Sequence, residues 1–180
     1  MTHITADQLA MIPSQGKRFE LVRGVLKMMA PAGGRHGQIA MRIGSMLEQY
    51  VREHQLGVVF AAETGFLLSC NPDTVRAPDA AFASHETLKE VDTLEGYVPV
   101  APDLVIEVVS QYDASSEVES NARMWLDAGT RLVLVVDPNT ETIRAYRDPS
   151  TIEVRCAGEI LDASQVVKGW ILQVDDVIRP

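Results

Sequence analysis

The sequence predicts an α/β protein whose mixed sheet is flanked by helices. Two segments, residues 103–110 and 131–137, are almost continuously apolar and rich in β-branched side chains, which is typical of strands covered on both faces. Residues 115–129 between them predict a helix, and Ser116 with Glu119 fits a capping box at its start. Strand, helix and strand at this spacing predict a crossover between two parallel strands.

The N-terminal part predicts a short helix followed by a β-hairpin. Thr5 or Asp7 stands near the start of the short helix. The hairpin joins residues 19–22 to residues 25–29, and Gly24 supplies the positive φ that such a turn requires. In this arrangement the methionines of the second strand are expected to fill the core beneath the hairpin.

A long amphipathic helix is predicted over residues 33–57, with Gly57 as its C-terminal cap. Its apolar side chains recur at steps of three and four, which draws one stripe along the helix: Ile39, Ile43, Met46, Leu47, Tyr50 and Val51.

The remaining segments complete a mixed sheet. Residues 58–69 and 77–84 predict two strands separated by a turn-rich stretch. Residues 85–100 predict a short helix and a loop. Residues 142–147 and 151–156 alternate as the two strands of a meander.

Composition narrows the class of protein. A chain of 180 residues is expected to form one domain, residues 1–180. The absence of a long apolar run and of a signal-peptide pattern favours a cytoplasmic protein without a membrane segment. Cys70 and Cys156 stand far apart and are expected to be reduced thiols. A formal net charge of −9 argues against non-specific nucleic-acid binding, which relies on basic side chains.

Two acidic residues stand where apolar strands are predicted. Asp79 precedes the apolar run 80–83, and Glu107 lies inside the run 104–109. An unpaired carboxylate is unfavourable in an apolar environment, but Mg²⁺ held between two carboxylates and several waters would compensate both. The alternative is structural: strand-end carboxylates also pair with arginines, and Arg76 and Arg123 are available.

The ordered set of segments resembles a known family. "RFELVRGVLKMMAP", "RHGQIAMRIGSMLEQYV", "ETGFLL", "RAPDAAFAS", "APDLVIEVVS", "LDAGTRLVLVVDP" and "IRAYR" are similar to the Uma-type restriction endonucleases of the PD-(D/E)XK nuclease superfamily. The resemblance implies a restriction endonuclease-like core carrying an N-terminal helix and a β-hairpin. It also implies a divalent ion, Mg²⁺ or Mn²⁺, which activates a water to attack a phosphodiester.

The resemblance assigns roles to individual residues. Asp79 and Glu107 match the two metal-binding acids, and Glu20 falls on a recurring acidic position that would complete the catalytic site. His36 matches a recurring position at the start of the long helix, where catalytic contact and a structural role stay open. Glu63 matches as well, with a structural hydrogen bond and a metal contact both open.

One departure concerns the positive charge of the motif. The superfamily places a lysine two residues after the second acid, where this chain has Val109. Members of this family commonly carry it on the next helix instead, where this chain has Asn121. Arg123 would substitute only if it faces inward, and arginine is not equivalent to lysine at such a site.

Two functions follow from this reading. The first is a metal-dependent endonuclease that hydrolyses nucleic acid, with DNA favoured, and acts as a homodimer. The alternative is a catalytically impaired domain of the same fold that acts through protein or oligomer contacts. A nucleotide-binding enzyme is disfavoured because no strand is followed by a glycine fingerprint.

Overall fold

The computed structural model describes residues 3–13, 16–110 and 113–179, which form five helices and three β-sheets. The helices are α1 (Ala6–Ala10), α2 (Gly34–His54), α3 (His85–Leu88), α4 (Ser115–Asp127) and α5 (Val174–Ile178). The strands are β1 (Arg18–Val22), β2 (Val25–Met29), β3 (Gly57–Ala61), β4 (Phe66–Ser69), β5 (Thr74–Arg76), β6 (Ala80–Ser84), β7 (Leu104–Val108), β8 (Leu132–Asp137), β9 (Thr142–Tyr146), β10 (Ile152–Cys156), β11 (Ile160–Asp162) and β12 (Ile171–Gln173).

The central sheet has six strands in the order β10-β9-β8-β7-β6-β3. β7 and β8 are parallel, with Leu104 opposite Leu132 and Val108 opposite Val136, and the other neighbours are antiparallel. α4 is the crossover between the two parallel strands. The predicted mixed α/β sheet, its crossover and its C-terminal meander are therefore confirmed.

Helices cover both faces of the central sheet. The buried stripe of α2 packs against alternate residues of β6, β7 and β8 on one face. On the other face, Trp125 of α4 packs with Phe66 and Val133. β7 and β8 are buried on both sides, which explains why their sequences are continuously apolar rather than alternating.

The hairpin belongs to a second sheet of four strands, in the order β2-β1-β5-β4. β5 pairs with β1 through Leu21 and Val75. β5 lies in the stretch that was predicted as turn, because a three-residue strand paired with distant residues leaves little local pattern. The chain passes from β5 of this sheet to β6 of the central sheet through residues 77–79, and that passage places Asp79.

Residues 58–69 were predicted to form a single strand, and this prediction is wrong. The region contains β3 and β4, which belong to different sheets, and the strand is interrupted at Glu63, where φ is +73°.

The methionines of the hairpin do not fill the core as predicted, because Met28 is 64% exposed and Met29 is 39% exposed. They lie on β2, an edge strand of the four-stranded sheet, and because successive strand residues point to opposite faces, both faces of β2 are exposed at this end.

Two helix boundaries also differ from prediction. α2 ends at Gln55, which adopts the left-handed conformation with φ +53°, and Gly57 already belongs to β3. α4 begins after Ala114, which makes no side-chain capping bond, so the Ser116–Glu119 capping box is wrong. In contrast, Thr5 caps α1 through a complete capping box with Gln8.

Two further features agree with the sequence. No helix among the described residues is long and apolar enough to span a bilayer. Cys70 and Cys156 are exposed free thiols.

The close approach of β3 to β6 depends on Gly57. A Cβ at this position would lie 2.2 Å from the backbone oxygen of Ala83 and 2.8 Å from the Cα of Ser84. We expect Gly57→Ala to lower the free energy of unfolding by roughly 1–3 kcal/mol, because the strands would have to separate. Urea unfolding measures this directly.

A matched control is Gly44→Ala in the middle of α2. There the added Cβ would lie 3.6 Å from the Cβ of Ala80, an ordinary contact, and alanine favours the helix by up to about 1 kcal/mol. Equal urea midpoints for the two variants would contradict the steric explanation for Gly57.

Candidate active site

Asp79 is held at the end of the β6–β7 pair by three hydrogen bonds. Its backbone N–H donates to the carbonyl oxygen of Ile106 at 3.1 Å. Its Oδ2 accepts from the backbone N–H of Val108 at 2.8 Å and lies 3.1 Å from Nε2 of His36. Because Ala80 pairs with Ile106, Asp79 and Glu107 lie at the same end of these two strands.

His36 reaches Asp79 from the first turn of α2. The hydrogen bond to Asp79 raises the pKa of the imidazole above its ordinary value, burial opposes this, and the charges of Asp79, Asp113 and Glu107 add to the increase. Its other ring nitrogen, Nδ1, is buried and has no hydrogen-bond partner among residues 3–13, 16–110 and 113–179. His36 thus orients the carboxylate of Asp79.

Glu107 lies in β7 and contacts α4. Its Oε1 accepts a hydrogen bond from the indole Nε1–H of Trp125 at 2.8 Å. Desolvation raises the pKa of Glu107 to about 8, and the charge of Asp79 adds to this increase. The charge of Arg76 and the hydrogen bond from Trp125 act in the opposite direction, while Glu20 raises the pKa further. The carboxyl group is therefore largely protonated at neutral pH in the absence of a cation.

Glu20 uses both of its oxygens inside the protein. Oε1 accepts from the backbone N–H of Ala77 at 3.0 Å, and Oε2 lies 2.7 Å from Nε of Arg76. The residue is 5% exposed. Glu20 therefore ties β1 to the segment that leads into Asp79, which is a positioning role rather than a free ligand.

Arg76 connects the acids to α4. Besides its ion pair with Glu20, its Nη1 donates to Oδ1 of Asn121 at 3.2 Å and contacts Sδ of Met124 at 3.6 Å. Asn121, at the position where a lysine was expected, is thus the hydrogen-bond acceptor of a buried guanidinium.

Three other residues lie apart from this cluster. Arg123 points outward and pairs with Glu119 at 3.7 Å, so it does not meet the condition of facing inward that a substitute for the lysine requires. The side chain of Glu63 is 68% exposed and forms a surface ion pair with Arg18 at 3.4 Å. Val109 packs against the apolar cluster around Trp125.

The donor set is suitable for a hard divalent ion. Among the described residues, no three side chains of histidine, cysteine, aspartate or glutamate cluster as metal ligands. Asp79 and Glu107 each keep one oxygen, Oδ1 and Oε2, that makes no hydrogen bond within the described part of the chain. Two carboxylates completed by waters are a typical Mg²⁺ environment, so these residues fit such an ion.

Two grooves flank the cluster. One, of about 410 Å³, runs along α2 between His36 and Glu48 and includes Phe60 and Asp79; its walls are mostly apolar. The other, of about 790 Å³, lies between the four-stranded sheet and α4 and includes Thr74, Arg123 and Met124. Asp79 faces the first groove, and Met124, beside Arg76, faces the second.

The structure thus brings Asp79, Glu107, Glu20 and His36 together, and it adds Arg76 and Trp125. Trp125 is fully buried, and its indole N–H also orients Glu107. The sequence signal for Arg76 was its place three residues before Asp79, which could not reveal that Glu20 is its partner.

Comparisons with known proteins show the fold and the family of the chain. A solved structure described as a putative nuclease belonging to DUF820, from Anabaena variabilis ATCC 29413, superposes with a TM-score of 0.81. The two chains are 20% identical, and 97% of each is covered, so the likeness shows a shared fold. No curated protein matches the chain. Residues 6–175 match the Uma2 family, described as "Putative restriction endonuclease", and the protein belongs to that family.

Proposed function

We propose that this protein is a divalent-metal-dependent endonuclease that hydrolyses a phosphodiester bond of nucleic acid, with DNA as the favoured substrate. The observation that carries the proposal is the convergence of Asp79 and Glu107 at one end of the β6–β7 pair, with Asp79 raising the pKa of Glu107. Membership of the Uma2 family supports this class of reaction. The proposal includes a more specific assignment of the fold, a restriction endonuclease-like core of the PD-(D/E)XK type.

Each residue has a distinct part in this scheme. Oδ1 of Asp79 and Oε2 of Glu107 would hold Mg²⁺ or Mn²⁺, which supplies an activated water and neutralises charge on the phosphate. His36 and the Val108 amide orient Asp79, and Trp125 orients Glu107. Hydrogen bonds of this kind fix the direction of metal ligands.

Calorimetric titration of Mn²⁺ into the parent protein and Asp79→Ala tests the proposal. We expect measurable binding to the parent and a loss of roughly 10- to 100-fold or more in affinity in the variant, because one of two charged ligands is removed. A supercoiled-plasmid assay should show nicking by the parent in Mn²⁺ and none by Asp79→Ala.

The control is Asp92→Ala, since Asp92 is exposed on a loop. It should bind Mn²⁺ and nick plasmid like the parent. Identical titrations and identical nicking by the parent and Asp79→Ala would refute the proposed site.

A second candidate function is a domain of this fold that acts through contacts with another protein or a second copy. The exposed Val25, Met28 and Met29 on the edge strand β2 favour it, because exposed apolar edge strands pair readily. Under this alternative, Asp79→Ala leaves function unchanged, while Met28→Lys weakens self-association in sedimentation experiments.

A further inference from the structure

Arg76 is the one buried lysine or arginine in the described residues, with 5% of its surface exposed. Burying a guanidinium is unfavourable unless charge and hydrogen bonds compensate it. Here the compensation comes from two separate elements, Glu20 of β1 and Asn121 of α4. The charge therefore lies between the four-stranded sheet and α4, close enough to act on Glu107 of the proposed metal site.

The contacts of Glu20 show what Arg76 does to the cluster. Besides Asp79 and Glu107, Glu20 is the third carboxylate of the cluster, and its charge raises the pKa of Glu107. Yet Oε2 is held by Arg76 and Oε1 by the Ala77 amide, so neither oxygen is available to an ion. Without Arg76, one oxygen of a buried carboxylate would lose its only charged partner.

We propose that Arg76 is a positioning residue that withholds Glu20 from the divalent ion and so leaves the ion with two protein carboxylates. Asn121 fixes Arg76 in this role, because its amide oxygen accepts from Nη1 without adding charge. The inference rests on the proposed metal site. It assigns to Arg76 the control of ion affinity and makes Glu20 a latent third ligand.

The test is the affinity for Mn²⁺ at pH 7.5, measured by calorimetry on the parent, Arg76→Met, Glu20→Gln and the double variant Glu20→Gln/Arg76→Met. Cation affinity at oxygen sites rises with the number of charged ligands. We expect Arg76→Met to bind Mn²⁺ roughly tenfold more tightly than the parent, since a carboxylate is released and a positive charge removed. The double variant should stay within roughly threefold of the parent. Glu20→Gln alone should bind Mn²⁺ more weakly than the double variant, because the charge of Arg76 then lacks its counter-ion.

A second variant protects the test against misfolding. Arg76→Lys keeps the positive charge, but an ammonium lacks the planar fork that spans Glu20 and Asn121. We expect an intermediate affinity and a larger rise of melting temperature on adding Mn²⁺ than the parent shows.

The possible outcomes separate this inference from the proposed function. Equal or weaker Mn²⁺ binding by both Arg76→Met and Arg76→Lys overturns the inference, as does loss of binding in the double variant, which would make Glu20 a resident ligand. If Asp79→Ala binds like the parent, the proposed function fails instead. If the parent shows no binding, the appearance of binding in Arg76→Met supports the inference and its absence there overturns it.

Discussion

The Glu107→Gln variant is expected to unfold at a higher temperature than the parent at pH 9 and at nearly the same temperature at pH 5. The pKa of Glu107 is raised from 4.5 to about 8, first by desolvation and then by the charge of Asp79. The folded state therefore favours the protonated acid. The resulting stability is fully present below pH 4.5 and is lost as the pH rises through about 8.

The size of this effect follows from the shift. One pKa unit corresponds to about 1.4 kcal/mol, and partial solvent access reduces the full value, so we expect about 2–4 kcal/mol. For a chain of this length, that difference moves the melting temperature by roughly 5–15 °C. Glutamine keeps an acceptor for Trp125 but cannot ionise. The stability of the Glu107→Gln variant should therefore depend less on pH than the stability of the parent.

The indole of Trp125 offers a direct measurement, because its N–H donates to Glu107. In a Trp170→Phe background, we expect the fluorescence of Trp125 to change with a midpoint near pH 8 and the change to vanish in Glu107→Gln. Glu90→Gln, an exposed position, is the control for loss of a carboxylate. Melting temperatures of the parent and Glu107→Gln that change in parallel from pH 5 to pH 9 would contradict the raised pKa of Glu107.

Removal of Glu20 is the second large effect. Glu20→Ala leaves the guanidinium of Arg76 buried without its charged partner and leaves the Ala77 N–H without an acceptor. Breaking a buried pair from one side typically costs about 3–5 kcal/mol, and we expect a loss of that order in the free energy of unfolding. Guanidinium chloride titration at pH 7 measures it.

Two further variants decide whether the loss comes from the unpaired charge. The double variant Glu20→Gln/Arg76→Met removes both charges and should recover more than half of the stability. Glu63→Ala breaks the exposed pair with Arg18 and should cost less than about 1 kcal/mol. A loss in Glu20→Ala no larger than that in Glu63→Ala would show that the buried pair contributes little.

Local pattern was sufficient for the elements whose sequence repeats the period of their own structure. The stripe from Ile39 to Val51 recurs at steps of three and four, and it is buried against the central sheet as expected. The uniformly apolar β7 and β8 indicated a sheet covered on both faces, and they are parallel neighbours. Thr5 and Gln8 carry their capping signal within four residues.

Prediction failed where the deciding contact lies far away in the chain. β5 is only three residues long, and it is stabilised by pairing with β1, more than fifty residues earlier. Met28 and Met29 have an apolar pattern, but β2 is an edge strand and exposes them. Gln55 ends α2 in the left-handed conformation although a glycine follows two residues later.

The amino-acid sequence by itself determined the mixed α/β class and the crossover through α4, and it singled out Asp79 and Glu107, because these depend on periodicity and on residue types that apolar strands rarely accept. Glu20 was identified only through the family resemblance. Only the tertiary structure decided which charged groups and hydrogen-bond donors surround these acids. Arg76, Glu20 and Asn121 belong to three separate elements, and Arg76 meets both partners only when β5 pairs with β1 and α4 packs beside them. The energy of a charged group in a buried site depends on its distance from other charges and on the exclusion of solvent, and the linear chain specifies neither.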